Sequence, residues 1–263
     1  MRIGEIDVTP FSDGFFSMPP AYFGESADWE PHKALLNDSG NLIVPIGCFI
    51  VRTGGQTVLV DAGLGDLDLG EMGKGGALPA ELAAAGVTPD EIDVVVCTHL
   101  HLDHSGWLVK DGAPFFPNAT VRFGAADWDQ FVVDQHGGPQ TAVDIKLLAD
   151  LGRVETIDGD DVSIAPGITA RAAPGHTHGH NVLVLSSGEE RAMLLGDAVT
   201  CPVQLEEPDW SAMSDIDAAL ARRTREALWR ELEGTDTTAV AAHFPGLEFG
   251  RVLPGKGKRY FSV

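Results

Sequence analysis

The sequence predicts an α/β chain organised as one domain, residues 1–263, with its chemistry gathered where strands end. Three observations predict this. Short apolar, β-branched runs such as Asp93–Cys97 and Thr238–Ala242 alternate with helical segments. Several of these runs lead within a few residues to a histidine or an aspartate, as at His99, His176, Asp197 and His243. No shift in composition marks a linker, and no repeat of fixed period appears.

Residues 1–42 hold a short strand and then a segment rich in aromatics and turn formers, from Phe15 to Phe23. It reads as an N-terminal arm packed on the core near the site, and His32 within it reads as a surface residue. Residues 43–61 read as two strands about a Thr53-Gly54-Gly55-Gln56 turn, the second ending at Asp61. Six glycines between Gly63 and Gly76 mark a loop without a Walker lysine-serine pair. A helix over Pro79–Ala85 is stopped by Gly86, and Thr88-Pro89-Asp90-Glu91 has the form of a capping box ahead of the Asp93–Cys97 strand.

Ser105-Gly106-Trp107 reads as the opening of a helix, Ala119–Phe123 as a strand, and Ala125–Val133 and Asp144–Leu151 as helices. Strands follow over 154–157, 162–164 and 168–173, then a hairpin of 181–186 with 191–195. Ser214–Asp217 reads as a second capping box, opening a helix to Glu233 whose apolar stripe is Ile216, Leu220, Ala227, Leu228 and Leu232. His136 reads as exposed.

Composition narrows the function. Hydrophobic residues make up 44% and charged residues 22%, as in ordinary globular proteins. A net charge of −21 repels phosphate backbones, so nucleic acid is a poor partner. The N-terminus has no apolar signal region, and no run approaches the ~18 apolar residues of a membrane helix. Cys48, Cys97 and Cys201 are odd in number, far apart and set in apolar stretches, so they read as core filler in a reducing, cytoplasmic setting.

Thr98-His99-Leu100-His101-Leu102-Asp103-His104 places three imidazoles and a carboxylate within six residues after a buried strand. In extended backbone, His99, His101 and Asp103 can face one point, and His104 can approach from the next turn. Nitrogen and oxygen ligands so placed suit zinc or a similar first-row divalent ion. A closed structural zinc site would call for cysteines at short spacing, and none are present.

His99-x-His101-x-Asp103-His104 resembles the HxHxDH signature of the metallo-β-lactamase superfamily. Four more stretches resemble its motifs, in order: Leu59–Gly63, Pro174–His180, Leu195–Asp197 and Ala242–Gly246. Ala62 replaces a threonine and His178 a proline. The C-terminal third is most similar to the methyl parathion hydrolase and lactonase branch. The resemblance implies an αββα sandwich of two mixed sheets with helices outside. It also implies two divalent ions, zinc foremost, with iron, manganese or cobalt as alternatives. By the same resemblance His99, His101 and His176 hold one ion, and Asp103, His104 and His243 the other. Asp197 bridges them with a hydroxide, Asp103 relays a proton, and Asp61 orients a ligand histidine. His178 and His180 are left to supporting or loop roles.

The expected reaction is hydrolysis of carboxylic esters or lactones, the bridging hydroxide attacking the carbonyl. A glyoxalase II-like thioesterase, a phosphotriester hydrolase and a non-catalytic metal-binding protein are the alternatives. The dense basic group Lys256, Lys258 and Arg259 lies in the C-terminal tail, which gives a glutathione moiety no clear partner. Related lactonases commonly place a tyrosine three residues after the bridging aspartate, where this chain has Thr200. The expected substrate walls are Tyr22 and Phe23 from the arm, Trp107 after the histidine motif, and Phe244 beside His243. The partner is a small-molecule ester or lactone, with no nucleic acid, no membrane, and a homodimer as the one oligomer considered.

Overall fold

The structure is a computed structural model that describes residues 1–255 and 259–263. Lys256 and Lys258 of the basic tail lie outside the described residues. Arg259 lies within them, and its guanidinium is committed to Glu226 and Glu233.

Two mixed sheets face each other. The first runs, in spatial order, Arg2–Ile3, Ile6–Met18, Leu42–Thr53, Gln56–Val60, Val94–Val96, Thr120–Gly124 and Val154–Ile157, with Gly73–Lys74 paired to the second of these. The last four run parallel to one another. The second sheet runs Val162–Ala165, Ile168–Ala172, Asn181–Ser187, Glu190–Leu194 and Thr238–Val240, with only the last pair parallel. Central strands are apolar on both faces because both are covered. Val58 and Val60 face the core between the sheets, while Leu59 faces a second core beneath the helices Leu78–Ala84 and Pro139–Asp150.

Several elements differ from their sequence reading, each for a local reason. The first long strand spans Ile6–Met18, so about a third of the arm is a sheet strand, whose pairing runs through Pro10 and shifts register between Ser12 and Phe15. The helix after the histidines begins inside the motif, at Leu102–Ser105, and puts Asp103 and His104 in its first turn. The segment after Thr120–Gly124 is three α-helical residues followed by a π-helical turn over Trp128–Val133. The long helix starts at Ala218, capped by the Asp217 side chain on Leu220 N–H, so Ser214 is not its cap. Its buried face is Ala221, Arg225, Leu228, Trp229 and Leu232, at helical spacing, and Ala227 faces solvent.

A third cluster joins the arm to the loop after Asp197, with Phe23, Trp29, Cys201 and Trp210 at its centre. His32 belongs here: its side chain is 9% exposed, its ring lies edge-on to Trp210, and Nε2 is 3.2 Å from Glu207 Oε1. No helix among the described residues is long and apolar enough to cross a membrane.

The sheets are locked together at the edge where the candidate ligands emerge. Asn181 N–H donates to Thr98 O, and Gly47 N–H donates to Ala242 O, each crossing from one sheet to the other. Gly47 is a glycine because of this approach: a Cβ there would sit 2.5 Å from Ala242 O. Gly47→Ala is expected to cost about 1–3 kcal/mol through overpacking. Urea unfolding would read it, and an unchanged midpoint would show that the sheets have slack at this edge.

Candidate metal centre

The candidate ligands emerge from different strands at one edge. His99 and His101 follow Val94–Val96, His176 follows Ile168–Ala172, Asp197 follows Glu190–Leu194, and His243 follows Thr238–Val240. Three groups of ligating atoms result: His99 with His101 and His176; Asp103 with His104 and His243; and His99 with His104 and Asp197. All seven residues proposed from the sequence are therefore brought together.

In the first group His101 Nδ1 lies 2.9 Å from His99 Nε2 and 3.0 Å from His176 Nε2. Ligand atoms about a tetrahedral ion at ~2.0–2.1 Å stand ~3.3 Å apart, close to this spacing. The outer nitrogens assign the tautomers. His176 Nδ1 is 3.0 Å from Asp215 Oδ1, an acceptor only, so its proton sits on Nδ1 and Nε2 offers a lone pair inward. His99 Nδ1 is 3.1 Å from Thr98 Oγ1, whose proton is spent on Asp61, so His99 also turns a lone pair inward. His101 Nδ1 can donate to only one of them.

In the second group His243 Nδ1 donates to Pro45 O at 2.7 Å, and His104 Nδ1 lies 2.9 Å from Asp61 Oδ2. Both Nε2 atoms then face carboxylates with lone pairs: 3.3 Å from each ring to Asp103 Oδ2, and 3.3–3.4 Å to Asp197. Asp197 Oδ2 also lies 3.4 Å from His176 Nε2, so this carboxylate stands between the two groups. Both ring nitrogens of His104 and Asp197 Oδ1 are buried with no hydrogen-bond partner, the Nδ1 contact to Asp61 being an ion-pair distance only. Lone pairs aimed at lone pairs, with orphaned buried atoms among them, fit a pair of cations held there.

The electrostatics divide in the same way. Burial, reinforced by the neighbouring imidazoles, pushes His99 well below the usual histidine range and His101 down to about 3. Burial also opposes charge on His104 and His243, but there the carboxylates outweigh it. Asp103, Asp61 and Asp197 hold His104 well above its ordinary value, and Asp197 and Asp103 hold His243 up at about 10. Asp197 is held low despite its burial by His243 and His104. Without a cation, protons on two rings neutralise the carboxylates.

Three positioning groups escape the sequence reading. Asp215, read as part of a capping box, has its carboxylate fully buried, facing His176 and accepting from Ala212 N–H. Asp127, fully buried, accepts from Leu100 N–H, Thr177 Oγ1–H and Gly179 N–H, tying the loops that carry His99 and His176. Asp13, also fully buried, accepts from the amides of Leu64, Gly76 and Leu78 and from Trp107 Nε1–H. A lone aspartate carries no periodic signal, whether in a strand as Asp13, a short helix as Asp127 or a loop as Asp215, and none of these could be told from a turn former or a surface charge. Asp61 lies where the motif places it, at φ 61°, a left-handed conformation held by Asp61 N–H to Val96 O. His180 Nε2 accepts the Asp197 amide, and His178 is exposed.

A cavity of about 650 Å³ opens onto the site. His101, Asp103, Asp197 and His243 form its floor, and Phe16, Met18, Tyr22, Met72 and Leu102 are among its walls. Of the four expected walls, Tyr22 lines it. Phe23 lies behind Tyr22, buried against Trp29 and Trp210. Trp107 is buried in the core under the helices, against Phe115 and Asp13. Phe244 is 1% exposed in the core between the sheets, edge-on to Phe261. For Phe244, nearness in sequence to a ligand misleads, because a residue next to a ligand at a strand exit points to the opposite side.

A family model described as the Metallo-beta-lactamase superfamily matches residues 44–243. An N-acyl homoserine lactonase of Bacillus cereus is 25% identical over 212 residues, covering 73% of this chain and 80% of its own. The structure of AidC, a dizinc quorum-quenching lactonase in complex with a product, superposes with a TM-score of 0.86. It covers 100% of this chain and 95% of its own at 22% identity, a likeness of fold. The structure of AbOPH, a hydrolase in the beta lactamase superfamily, gives a TM-score of 0.85 at 26% identity, covering 99% and 95%.

Two outcomes follow from the geometry. Asp215→Asn keeps the shape beside His176 but removes its charge, and is expected to weaken metal binding about 10–100-fold. Competition with a chromophoric chelator reads this, and unchanged affinity would make Asp215 a packing group only. Phe244→Ala is expected to cost about 3–5 kcal/mol with substrate preference unchanged. Thermal melts alongside kinetics on short and long acyl esters would decide, since a shifted preference without destabilisation would return Phe244 to the cavity wall.

Proposed function

The chain belongs to the metallo-beta-lactamase superfamily, and from that premise we propose that it is a two-metal hydrolase of uncharged carboxylic esters, lactones foremost. One observation carries the reading. The convergent ligand groups open onto a cavity whose described lining holds Glu71, Asp103 and Asp197 and neither lysine nor arginine. With Asp103 and Asp197 committed to the ions, such a cavity offers an anionic tail no lysine or arginine to pair with and accepts neutral organic groups against apolar walls. An anionic glutathione thioester finds no partner there. A lactone does not need one, and relatives of this chain carry the name N-acyl homoserine lactonase. Phosphotriesters, also uncharged, meet the same electrostatic requirement and form the second reading.

In this reading His99, His101 and His176 hold one ion, Asp103, His104 and His243 hold the other, and Asp197 is shared. Two divalent ions there supply Lewis acidity toward the carbonyl and a water of lowered pKa. The protein does the rest. Asp215, Asp61, Thr98 and the Pro45 carbonyl fix the ring orientations. Phe131 packs edge-on against His101 and limits its rotation. Asp103 lines the cavity, so its carboxylate can take the proton lost by the attacking water and return it to the leaving oxygen.

The test is a panel of p-nitrophenyl acetate, lactones and an anionic thioester, with and without chelator. Ester and lactone hydrolysis is expected to vanish with chelator and return with a divalent metal, and the thioester is expected to lag. A metal-loaded protein inert toward every ester and lactone would overturn the proposal. Asp197→Asn is expected to lose one metal and at least ~100-fold in turnover, and near wild-type turnover would remove Asp197 from its shared role.

A further inference from the structure

We infer that the hydroxyl pair of Tyr22 and Ser214 donates a hydrogen bond to the leaving oxygen of the substrate, a catalytic contact supplied in part from the N-terminal arm. The inference rests on the ester and lactone reading above and names the residues that would serve the leaving group.

Tyr22 Oη and Ser214 Oγ are 2.5 Å apart, and both residues line the cavity. Either oxygen can be the donor. Two hydroxyls in one hydrogen bond carry two protons, of which one is spent between them. The other stays uncommitted, on Ser214 if Tyr22 donates and on Tyr22 if Ser214 donates. The pair therefore offers one proton to the cavity in either arrangement.

The pair is held in place from several sides. Met213 N–H donates to Tyr22 O at 2.8 Å, fixing the arm to the segment that carries Ser214. The Tyr22 ring lies edge-on to Phe23, which is buried against Trp29 and Trp210. Ser214 adjoins Asp215, whose carboxylate orients His176. A donor so fixed loses little entropy when it engages substrate. Burial, with Asp197, Asp103 and Asp215 nearby, pushes the phenol up, so it stays protonated at neutral pH. Thr200 is fully buried with its amide given to Gln204 Oε1, and it does not line the cavity.

Chemistry says where the proton is needed. In lactone hydrolysis the water oxygen forms a bond to the carbonyl carbon. The ring carbon–oxygen bond breaks with its electron pair on the alkoxy oxygen, and a proton of the water ends there. An alkoxide is a strong base, and the described lining places carboxylates and neither lysine nor arginine around it, its histidines being committed to the ligand groups. A neutral hydroxyl proton stabilises the charge as it builds, while both hydroxyls keep their own protons. The phenolate leaving group of p-nitrophenyl acetate is a weak base and needs this contact less.

The test compares Tyr22→Phe, Ser214→Ala and the double variant on a γ-lactone and on p-nitrophenyl acetate, with metal content and melting temperature measured on each protein. Each single variant leaves one hydroxyl with a free proton but without the partner that holds it, whereas the double variant leaves none. For the double variant, kcat on the lactone is expected to fall about 10–100-fold, further than in either single variant, and kcat on p-nitrophenyl acetate less than about threefold. Metal content and melting temperature should not move. A lactone kcat within about threefold of wild type in the double variant would overturn the inference. So would equal losses on both substrates accompanied by metal loss or a lower melting temperature, which is the signature of a positioning role. The wild-type rate on the two substrates tests the ester and lactone reading, whereas the ratio of variant to wild type tests the hydroxyl pair.

Discussion

Imidazole lone pairs crowded into one buried place are the constraint on which the rest of the structure depends. Four of the five rings have their outer nitrogen facing a fixed group: Thr98 for His99, Asp61 for His104, Asp215 for His176 and the Pro45 carbonyl for His243. Each such contact turns the inner nitrogen, as an acceptor, toward its neighbours. Acceptors facing acceptors and carboxylates at 2.9–3.4 Å are unfavourable unless a positive charge lies among them. Protons on His104 and His243 serve in the metal-free chain, and divalent ions would serve better. The fold spends stability to hold this arrangement, which is how a binding site differs from a core.

The two sheets exist in this register because the ligands come from both. His99, His101, Asp103 and His104 leave the first sheet, and His176, Asp197 and His243 leave the second. Closing the edge requires backbone contacts between the sheets, at Thr98 with Asn181 and at Gly47 with Ala242. Buried carboxylates then set the loops. Asp127 binds the loops of His99 and His176 to each other, and Asp13 organises the glycine-rich turn that presents Met72 to the cavity. A buried carboxylate accepting three or four donors recovers its desolvation cost locally and leaves little freedom to the chain around it.

Much of this was legible in the sequence, and the division between what was and what was not has a physical cause. Ligands dense in sequence, or held in motifs of several residues, announce themselves, as His99–His104 and Pro174–His180 do. Strands buried on both faces do too, because a run such as Val94-Val95-Val96 has few other uses. Asp215 did not, since its contact with His176 spans 39 residues and its neighbours fit a capping box equally well. Phe23, Trp107 and Phe244 were misplaced as walls, because a bulky aromatic beside a ligand satisfies core and cavity alike until the direction of its side chain is known. The start of the helix inside the histidine motif was hidden for a similar reason: alternation in extended backbone and a single helical turn can bring the same four residues together.

Metal stoichiometry tests the central claim most directly. Protein freed of metal and dialysed against a divalent ion such as zinc, then measured by elemental analysis with circular dichroism recorded in parallel, should bind two ions per chain, one for His99 with His101 and His176 and one for Asp103 with His104 and His243. A folded protein that binds none, or that saturates at one, would contradict the account, because the lone pairs of at least one group would then be satisfied in some other way.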